Sequence, residues 1–375
     1  MWACLSPLAV EALGEEPFWS AKPGPWGELQ VRVVYLEPSD TLLAAVAKPN
    51  AVPRWVFEQT TESAVRADLQ RFGLSSVLID RLFNPASRTI SGNVISLFPT
   101  VEEVTSLSVP VRSALYLELA RSSANEYQRD PFFMLGSDLD DWLAGSGFNE
   151  AQTKLFRGLL WQRGDVIAFS DIEVLLALAK DPTEVRNTFR GLTRVRSLLV
   201  ELKLPLKGDR RAFLDYWAAQ QPDSPQLTFL RAVTQRRAEQ TVDITHFLPA
   251  FARQRIYTYP DMTLRAKGYF PDCHWTALNF FNLEPDNQYL DMSKAAARLM
   301  NGYAAIDPPF TFGDVLCFME RGEGIHSCVY IADDIVMTKN GDSIMAPWVL
   351  MQLKDVENIY RGSSATRIQG FRLKR

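Results

Sequence analysis

Three consecutive segments near the C-terminus, residues 313–319, 325–332 and 335–339, are short and largely apolar. Only the turn residues Asp333 and Asp334 separate the last two segments. The composition predicts buried β-strands. Connections this short join antiparallel neighbours, because parallel strands need a crossover of a dozen or more residues. The segments therefore predict an antiparallel sheet, and they exclude a doubly wound α/β fold for this part of the chain.

Helical periodicity surrounds these strands. It predicts helices over 273–282 and 291–304 before them and an amphipathic helix over 348–360 after them. Helices packed on an antiparallel sheet make an α+β domain. We therefore predict an α+β fold, with this C-terminal domain covering residues 246–375.

The rest of the chain predicts a mostly helical region with a few strands. Alternating apolar residues indicate a strand over 28–38, and apolar residues at helical spacing indicate a helix over 62–83 that is interrupted at Gly73. Pro, Gly and charged residues cluster at 205–211, which marks a boundary. This divides the chain into a helix-rich N-terminal region, a helical linker and the C-terminal domain, at residues 1–205, 206–245 and 246–375.

Composition and charge exclude several classes of protein. With 47% apolar and 22% charged residues, the chain can bury a substantial core and is not intrinsically disordered. Its 40 basic and 44 acidic residues are well mixed, and without a basic stripe we expect no nucleic-acid partner. No apolar run reaches the roughly 18 residues of a membrane span, so no transmembrane segment is predicted. The first 19 residues fit either a trimmed signal peptide or a segment packed on the fold.

The four cysteines are too few for a disulfide framework in a chain of 375 residues, and none forms a C-x-x-C pair. Cys317 and Cys328 lie in predicted strands, where a free cysteine is usually a small buried apolar residue. A metal site drawn from Cys273, His274, His326 and Cys328 is an alternative, but these residues lack a familiar ligand spacing. We predict no cofactor and no metal.

Cys273 stands apart from the other cysteines because it begins a predicted helix. The preceding Asp272 is a good N-cap residue, which places the thiol beside the unpaired N–H groups of the first turn. The positive end of the helix dipole favours a thiolate, and the same N–H groups can stabilise an oxyanion. These features predict that Cys273 is a nucleophile.

A cysteine nucleophile needs a base, and His326 is the candidate. His274 is adjacent to Cys273, but neighbouring side chains on a helix point roughly 100 degrees apart. His326 opens a predicted strand, where a side chain at the edge of a sheet can face a cleft. We therefore predict a pair of Cys273 and His326.

The ordered set of Asp272-Cys273, Gly313-Asp314, His326, Tyr330 and Asp333-Asp334 resembles the NlpC/P60 group of papain-like cysteine peptidases. In that family an Asp-Cys pair opens a helix, a Gly-Asp begins a strand, and a His opens the next strand. The resemblance covers roughly 255–345. The family usually has Asp-Cys-Ser-Gly where this chain has Asp-Cys-His-Trp, so the entry to the helix is more crowded here.

The resemblance also implies a third catalytic residue and an oxyanion donor. In the family a polar residue on the strand after the His fixes the imidazole tautomer. Asn340 has suitable chemistry and is preferred, with Thr338 and Lys339 as alternatives that depend on the length of the hairpin loop. A tyrosine upstream of the Cys often binds the oxyanion, and Tyr259 fits that position better than Tyr257.

The implied activity is hydrolysis of an amide or peptide bond through a thioester, with a peptide or bacterial cell-wall peptide as substrate. Such a substrate favours an exported protein, periplasmic or extracellular, over a cytoplasmic one. Two alternatives remain open at this point. The thioester can pass its acyl group to another acceptor or act on lipids, or the domain can be a binding module without catalysis.

Overall fold

The computed structural model describes residues 18–46, 52–134, 136, 139–164, 166–177, 179, 181–218, 226–260, 271–360 and 366–374. Most of the predicted signal-like segment, including Cys4, lies outside them. The α-helices are Asp40–Val46, Glu62–Phe72, Ser76–Leu82, Val101–Ser106, Val109–Leu119, Glu126–Arg129, Leu139–Ala144, Glu150–Leu159, Ile172–Leu176, Pro182–Leu192, Arg210–Trp217, Gln226–Val233, Ala250–Arg255, Cys273–Asn279, Met292–Gly302 and Leu353–Tyr360.

The strands are β1 Trp19–Ser20, β2 Leu29–Leu36, β3 Trp55–Phe57, β4 Arg88–Ser91, β5 Val94–Leu97, β6 Phe132–Met134, β7 Trp161–Arg163, β8 Val166–Phe169, β9 Val195–Leu204, β10 Gln240–Asp243, β11 Tyr303–Ile306, β12 Val315–Glu320, β13 Glu323–Ala332, β14 Ile335–Lys339, β15 Trp348–Gln352 and β16 Arg367–Leu373. They form sheets in the orders β1-β2-β9-β10, β3-β5-β4, β6-β8-β7 and β11-β16-β12-β13-β14-β15. Neighbouring strands in these sheets pair antiparallel, and the α+β class predicted from the sequence is confirmed.

The six-stranded sheet separates two apolar clusters. Val329 and Ile331 of β13 belong to a large cluster that includes the helix Cys273–Asn279. Cys328 and Tyr330 belong to a smaller cluster on the opposite face, against which the helix Leu353–Tyr360 packs. This alternation follows from the two-residue period of a strand. Both faces of β13 are covered, which explains its nearly continuous apolar sequence.

The predicted helix over 348–360 is wrong in its first part. Trp348–Gln352 is the edge strand β15, paired with β14, and the helix begins at Leu353. Trp348, Val349 and Leu350 are all fully buried. A short run of apolar residues buried on both faces has no two-residue alternation, so its periodicity does not distinguish a strand from a helix.

The N-terminal strands share a core with the C-terminal sheet. Leu29 of β2 and Leu198 of β9 lie in the same apolar cluster as Val329. The Ser197 hydroxyl accepts a hydrogen bond from the Leu350 N–H at 3.1 Å, which links β9 to β15. β9 also pairs with β10. The predicted boundaries at residues 205 and 245 therefore do not coincide with a break in the packing.

Candidate functional site

Asp272 caps the helix that carries Cys273. The Asp272 side chain accepts a hydrogen bond from the Trp275 N–H at 2.7 Å, and its own backbone is extended, as an N-cap requires. Every residue of this helix is buried. Trp275 and Leu278 anchor it in the large apolar cluster. The cap predicted from the sequence thus fixes Cys273 at the first position of a helix that packs on the six-stranded sheet.

The thiol of Cys273 is held against β13. It accepts a hydrogen bond from the Ser327 backbone N–H. The pairing of β13 with β14 runs only as far as Val329 and Met337, so the thiol meets β13 beyond the end of that pairing. Cys273 is 6% exposed. Burial, with a smaller contribution from the Asp272 carboxylate, raises the pKa of the thiol.

The raised pKa differs from the sequence expectation of a thiolate favoured by the helix dipole. In the described state desolvation outweighs the dipole, because the charged form has lost its water. Cys273 is therefore a neutral thiol at pH 7.

His326 is fully buried on the other side of β13 from Val329. Its ring stacks on Tyr360 with centroids 3.8 Å apart and an interplanar angle of 12°. Its Nε2 lies 2.9 Å from the Thr338 hydroxyl, while its Nδ1 is buried without a hydrogen-bond partner. Burial, and to a lesser extent His274, lowers the pKa of His326 well below its usual value. The imidazole is therefore neutral, the form that can accept a proton.

The backbone of His326 lies beside the Cys273 thiol, although the helix that carries Cys273 packs on the Val329 face of β13 and the imidazole lies on the opposite face. The Ser327 amide that donates to the sulfur follows His326 directly in the chain. The negative charge of a Cys273 thiolate would also raise the pKa of Tyr360, which stacks on the imidazole. No hydrogen bond joins Cys273 and His326 directly among the described contacts.

Asn340 and Tyr259, the other two predicted site residues, are engaged elsewhere. The Asn340 amide nitrogen lies 3.2 Å from the Met351 sulfur, so Thr338 and not Asn340 bonds to the imidazole. β14 ends at Lys339, so Asn340 lies beyond the strand and does not pair with His326 across the hairpin. The Tyr259 hydroxyl donates to the carbonyls of Leu36 and Thr193 and does not serve as an oxyanion donor in this arrangement.

Three further residues complete the surroundings of the thiol. His274 Nδ1 is hydrogen-bonded to the Ser327 hydroxyl at 2.8 Å, so this imidazole braces β13. Lys339 is fully buried, and its ammonium donates to the carbonyls of Gly341 and Ser343 at 2.9 Å each. Burial lowers the pKa of Lys339 to about 8, and its positive charge favours the Cys273 thiolate. The sequence does not predict that Tyr360 stacks on His326. Tyr360 follows residues 348–352, which form a strand and not the predicted helix.

A pocket of about 170 Å³ opens beside this site. Tyr360 and Asn340 form its wall on the side of His326, and the N-terminal region supplies the other walls, including β6 and the end of β7. Tyr360 therefore separates the pocket from the buried imidazole. Cys273 and His326 do not line this pocket themselves.

No protein-family model, no curated protein and no solved structure matches the chain. Within the described residues, no group of three or more His, Cys, Asp and Glu side chains converges as a metal site would require. No helix in the same residues is long and apolar enough to span a bilayer.

Removing the Thr338 hydroxyl should weaken the reactivity of the pair. We expect Thr338→Val to lower any Cys273-dependent hydrolysis about tenfold, because an unpaired buried ring nitrogen costs about 1–3 kcal/mol and leaves the tautomer unfixed. Thr338→Ser keeps the hydroxyl and should retain most of the rate. Steady-state rates of the two variants against wild type measure this, and equal losses would show that packing alone matters.

Lys339 should tune the thiol in a pH-dependent way. Below about pH 8 its ammonium is charged and stabilises the thiolate, whereas above that pH the charge is lost. We expect Lys339→Met to slow alkylation of Cys273 about three- to tenfold at pH 7, since each unit of thiol pKa is a factor of ten in thiolate. The difference from wild type should narrow by pH 9. Iodoacetamide kinetics with mass mapping test this, and Lys339→Arg, which keeps the charge at both pH values, is the control.

Proposed function

We propose that the protein is a thiol-dependent hydrolase of the papain-like, NlpC/P60 type that cleaves an amide or peptide bond. One observation carries the proposal. The Cys273 sulfur is hydrogen-bonded by the amide that follows His326, while the imidazole has one nitrogen bonded to Thr338 and the other buried and unpartnered. These contacts support the proposal of a nucleophile, a base and a group that orients the base, the parts that thiol catalysis needs, with the imidazole and the Cys273 helix on opposite faces of β13.

The chemistry follows from these positions. If Nε2 carries the ring proton and donates it to the Thr338 hydroxyl, Nδ1 is the free base. Nδ1 then takes the thiol proton as the Cys273 sulfur attacks the carbonyl carbon. The same proton passes to the leaving amine when the carbon–nitrogen bond breaks. Water, deprotonated by Nδ1, then hydrolyses the thioester and restores the thiol.

The oxyanion would be stabilised by the helix start. The Cys273 and His274 N–H groups belong to the first turn and have no partner within the helix. They face the same end of the helix as the thiol, and the helix dipole adds to their effect. These two amides take the role that the resemblance assigned to Tyr259.

Substrate must reach a buried thiol, and we infer that it enters through the pocket past Tyr360. We expect Tyr360→Ala to speed alkylation of Cys273 by iodoacetamide at least about tenfold, which corresponds to about 1.4 kcal/mol less opening cost. Tyr127→Ala is the control, since Tyr127 lines the pocket and stacks on Phe132 instead of His326. Equal rates in wild type and Tyr360→Ala would place the entrance elsewhere.

Incubation with peptidoglycan fragments, followed by mass spectrometry, tests the activity and the cell-wall substrate together. The wild type should release a cleaved peptide, and Cys273→Ala should not. Added hydroxylamine separates hydrolysis from acyl transfer, because it captures the thioester as a hydroxamate. If wild type and Cys273→Ala both leave a broad panel of peptides and amides intact, the domain acts by binding alone. Cleavage of the cell-wall fragments would also support an exported location.

A further inference from the structure

The pocket beside Tyr360 is built by both halves of the molecule. Phe132 and Phe133 of β6 and Arg163 at the end of β7 line one side, and Met351 of β15 and Tyr360 line the other. No role was predicted for residues 1–205 from their sequence. Their position here makes them the walls of a binding site.

Most of the pocket wall is apolar or aromatic, and its size is that of one small group. An interior cavity of about 150 Å³ can hold a benzene ring. The pocket, at about 170 Å³, has room for one aromatic ring or a short branched chain. Phe133, Trp142 and Tyr127 are among the aromatic residues that line it.

Four arginines line the pocket, and three of them form ion pairs with acidic residues. Arg129 pairs with Asp130 and Asp342, Arg194 with Glu37, and Arg196 with Asp355. Arg163 has no ion pair among the described residues.

The Arg163 guanidinium is held in place by neutral groups. It donates to the Arg129 carbonyl at 2.8 Å and lies over the Phe133 ring at 5.5 Å. Burial lowers the pKa of Arg163, and the nearby Asp130 carboxylate partly offsets this. A half-buried guanidinium that lines the pocket, with one described hydrogen bond from Nη1, is suited to a planar anion that accepts two parallel hydrogen bonds.

We propose that this pocket binds a carboxylate joined to a ring-sized apolar group, with Arg163 as the anchor for the carboxylate. A single negative charge fits better than two. The Asp130 carboxylate lies near Arg163 and partly offsets the lowering of its pKa by burial. The negative charge of Asp130 would repel a phosphate dianion more than a carboxylate. A role of this pocket as a substrate subsite rests on the proposed hydrolase activity. If the protein is such a hydrolase, one part of its substrate carries this carboxylate. The binding itself does not depend on the thiol.

Calorimetric titration of the full chain with 3-phenylpropionate and with its uncharged amide, 3-phenylpropionamide, tests the proposal. The acid should bind at least tenfold more tightly than the amide. Arg163→Met should lower the affinity for the acid to that for the amide, and Arg163→Lys should lose part of it. Arg121→Met, which removes a charge 76% exposed on the surface, should bind the acid like wild type.

Equal affinities for acid and amide, absence of binding to either, or undiminished binding by Arg163→Met would each overturn the proposal. Tighter binding of phenyl phosphate than of the acid would overturn the carboxylate assignment. Circular dichroism melts check that Arg163→Met is folded, and if it is not, the comparison of acid with amide on wild type decides. Cys273→Ala should bind the acid like wild type, so a failed hydrolase proposal and a failed pocket proposal give different results.

Discussion

Replacing His326 with glutamine is expected to lower the rate of Cys273-dependent amide hydrolysis by about 10²–10⁴-fold, the usual contribution of a positioned general base. Glutamine is polar and can still bond to Thr338, but it cannot accept the thiol proton. The thiol has a raised pKa and gives little thiolate unaided, so the loss should lie toward the upper end. Cys273→Ala should remove the activity altogether. Rates with a substrate identified from the fragment screen provide the measurement.

The chain offers a matched control in His246, one of its three histidines. His246 packs against Phe229 with ring centroids 5.5 Å apart, and none of the described hydrogen bonds or ring contacts joins it to β13. His246→Gln should leave the rate unchanged. A His326→Gln variant that keeps more than a tenth of the wild-type rate would show that another group takes the proton. In that case His274→Gln tests whether His274 is the proton acceptor. The His274 imidazole lies near the thiol and contacts the Ser327 hydroxyl.

Local features of the site were predictable from the sequence. Asp272 as a cap and the turn at Asp333 and Asp334 rest on short-range chemistry, and the structure has both. The short connection at Asp333 and Asp334 also predicts an antiparallel hairpin, and Val329 pairs with Met337 and Tyr330 with Val336. Features that depend on neighbours in sequence are fixed by backbone geometry and capping, and these can be deduced from residue types.

Features that depend on distant segments were not predictable in this way. Tyr259 has the spacing of an oxyanion donor, but its hydroxyl is used by carbonyls of β2 and of the loop before β9. The sequence left Asn340, Thr338 and Lys339 open according to the length of the hairpin loop, and the imidazole contacts Thr338. Tyr360 reaches His326 only because residues 348–352 form an edge strand, which shortens the following helix and sets its position.

The pKa of the Cys273 thiol is a second property that the sequence alone does not predict. The sequence displays the helix dipole and the Asp272 charge, but not the burial that raises the pKa. The helix that begins at Cys273 packs on β13 and β14, both distant in sequence. The thiol and the imidazole are therefore both buried and neutral in the described structure, and on the proposed mechanism proton transfer would accompany substrate entry. This is why opening at Tyr360 and the charge of Lys339 should both change the reactivity of the thiol.

Replacing Arg112 with methionine is expected to lower the free energy of unfolding of the N-terminal region by about 3–5 kcal/mol, the cost of breaking a buried ion pair. Arg112 is fully buried, and its guanidinium donates to the carbonyls of Gly158 and Val104 at 2.8 and 2.9 Å. It lies 3.8 Å from the Asp171 carboxylate, which also accepts a hydrogen bond from the Tyr116 hydroxyl. Methionine fills similar space but leaves two carbonyls without their donor and the buried Asp171 carboxylate without its positive neighbour.

This network supports the wall of the proposed binding pocket. Tyr116 packs edge-on against Trp161, the first residue of β7, with ring centroids 5.6 Å apart, and β7 ends at Arg163. Urea unfolding followed by far-ultraviolet circular dichroism measures the loss for Arg112→Met. Arg121→Met, which removes an exposed pair with Glu118, is the control and should cost less than about 1 kcal/mol. The double variant Arg112→Met/Asp171→Leu should recover part of the stability, because it also removes the unpaired carboxylate. Equal losses for Arg112→Met and Arg121→Met would mean that the buried pair does not hold this region together, and that β7 is positioned by apolar packing alone.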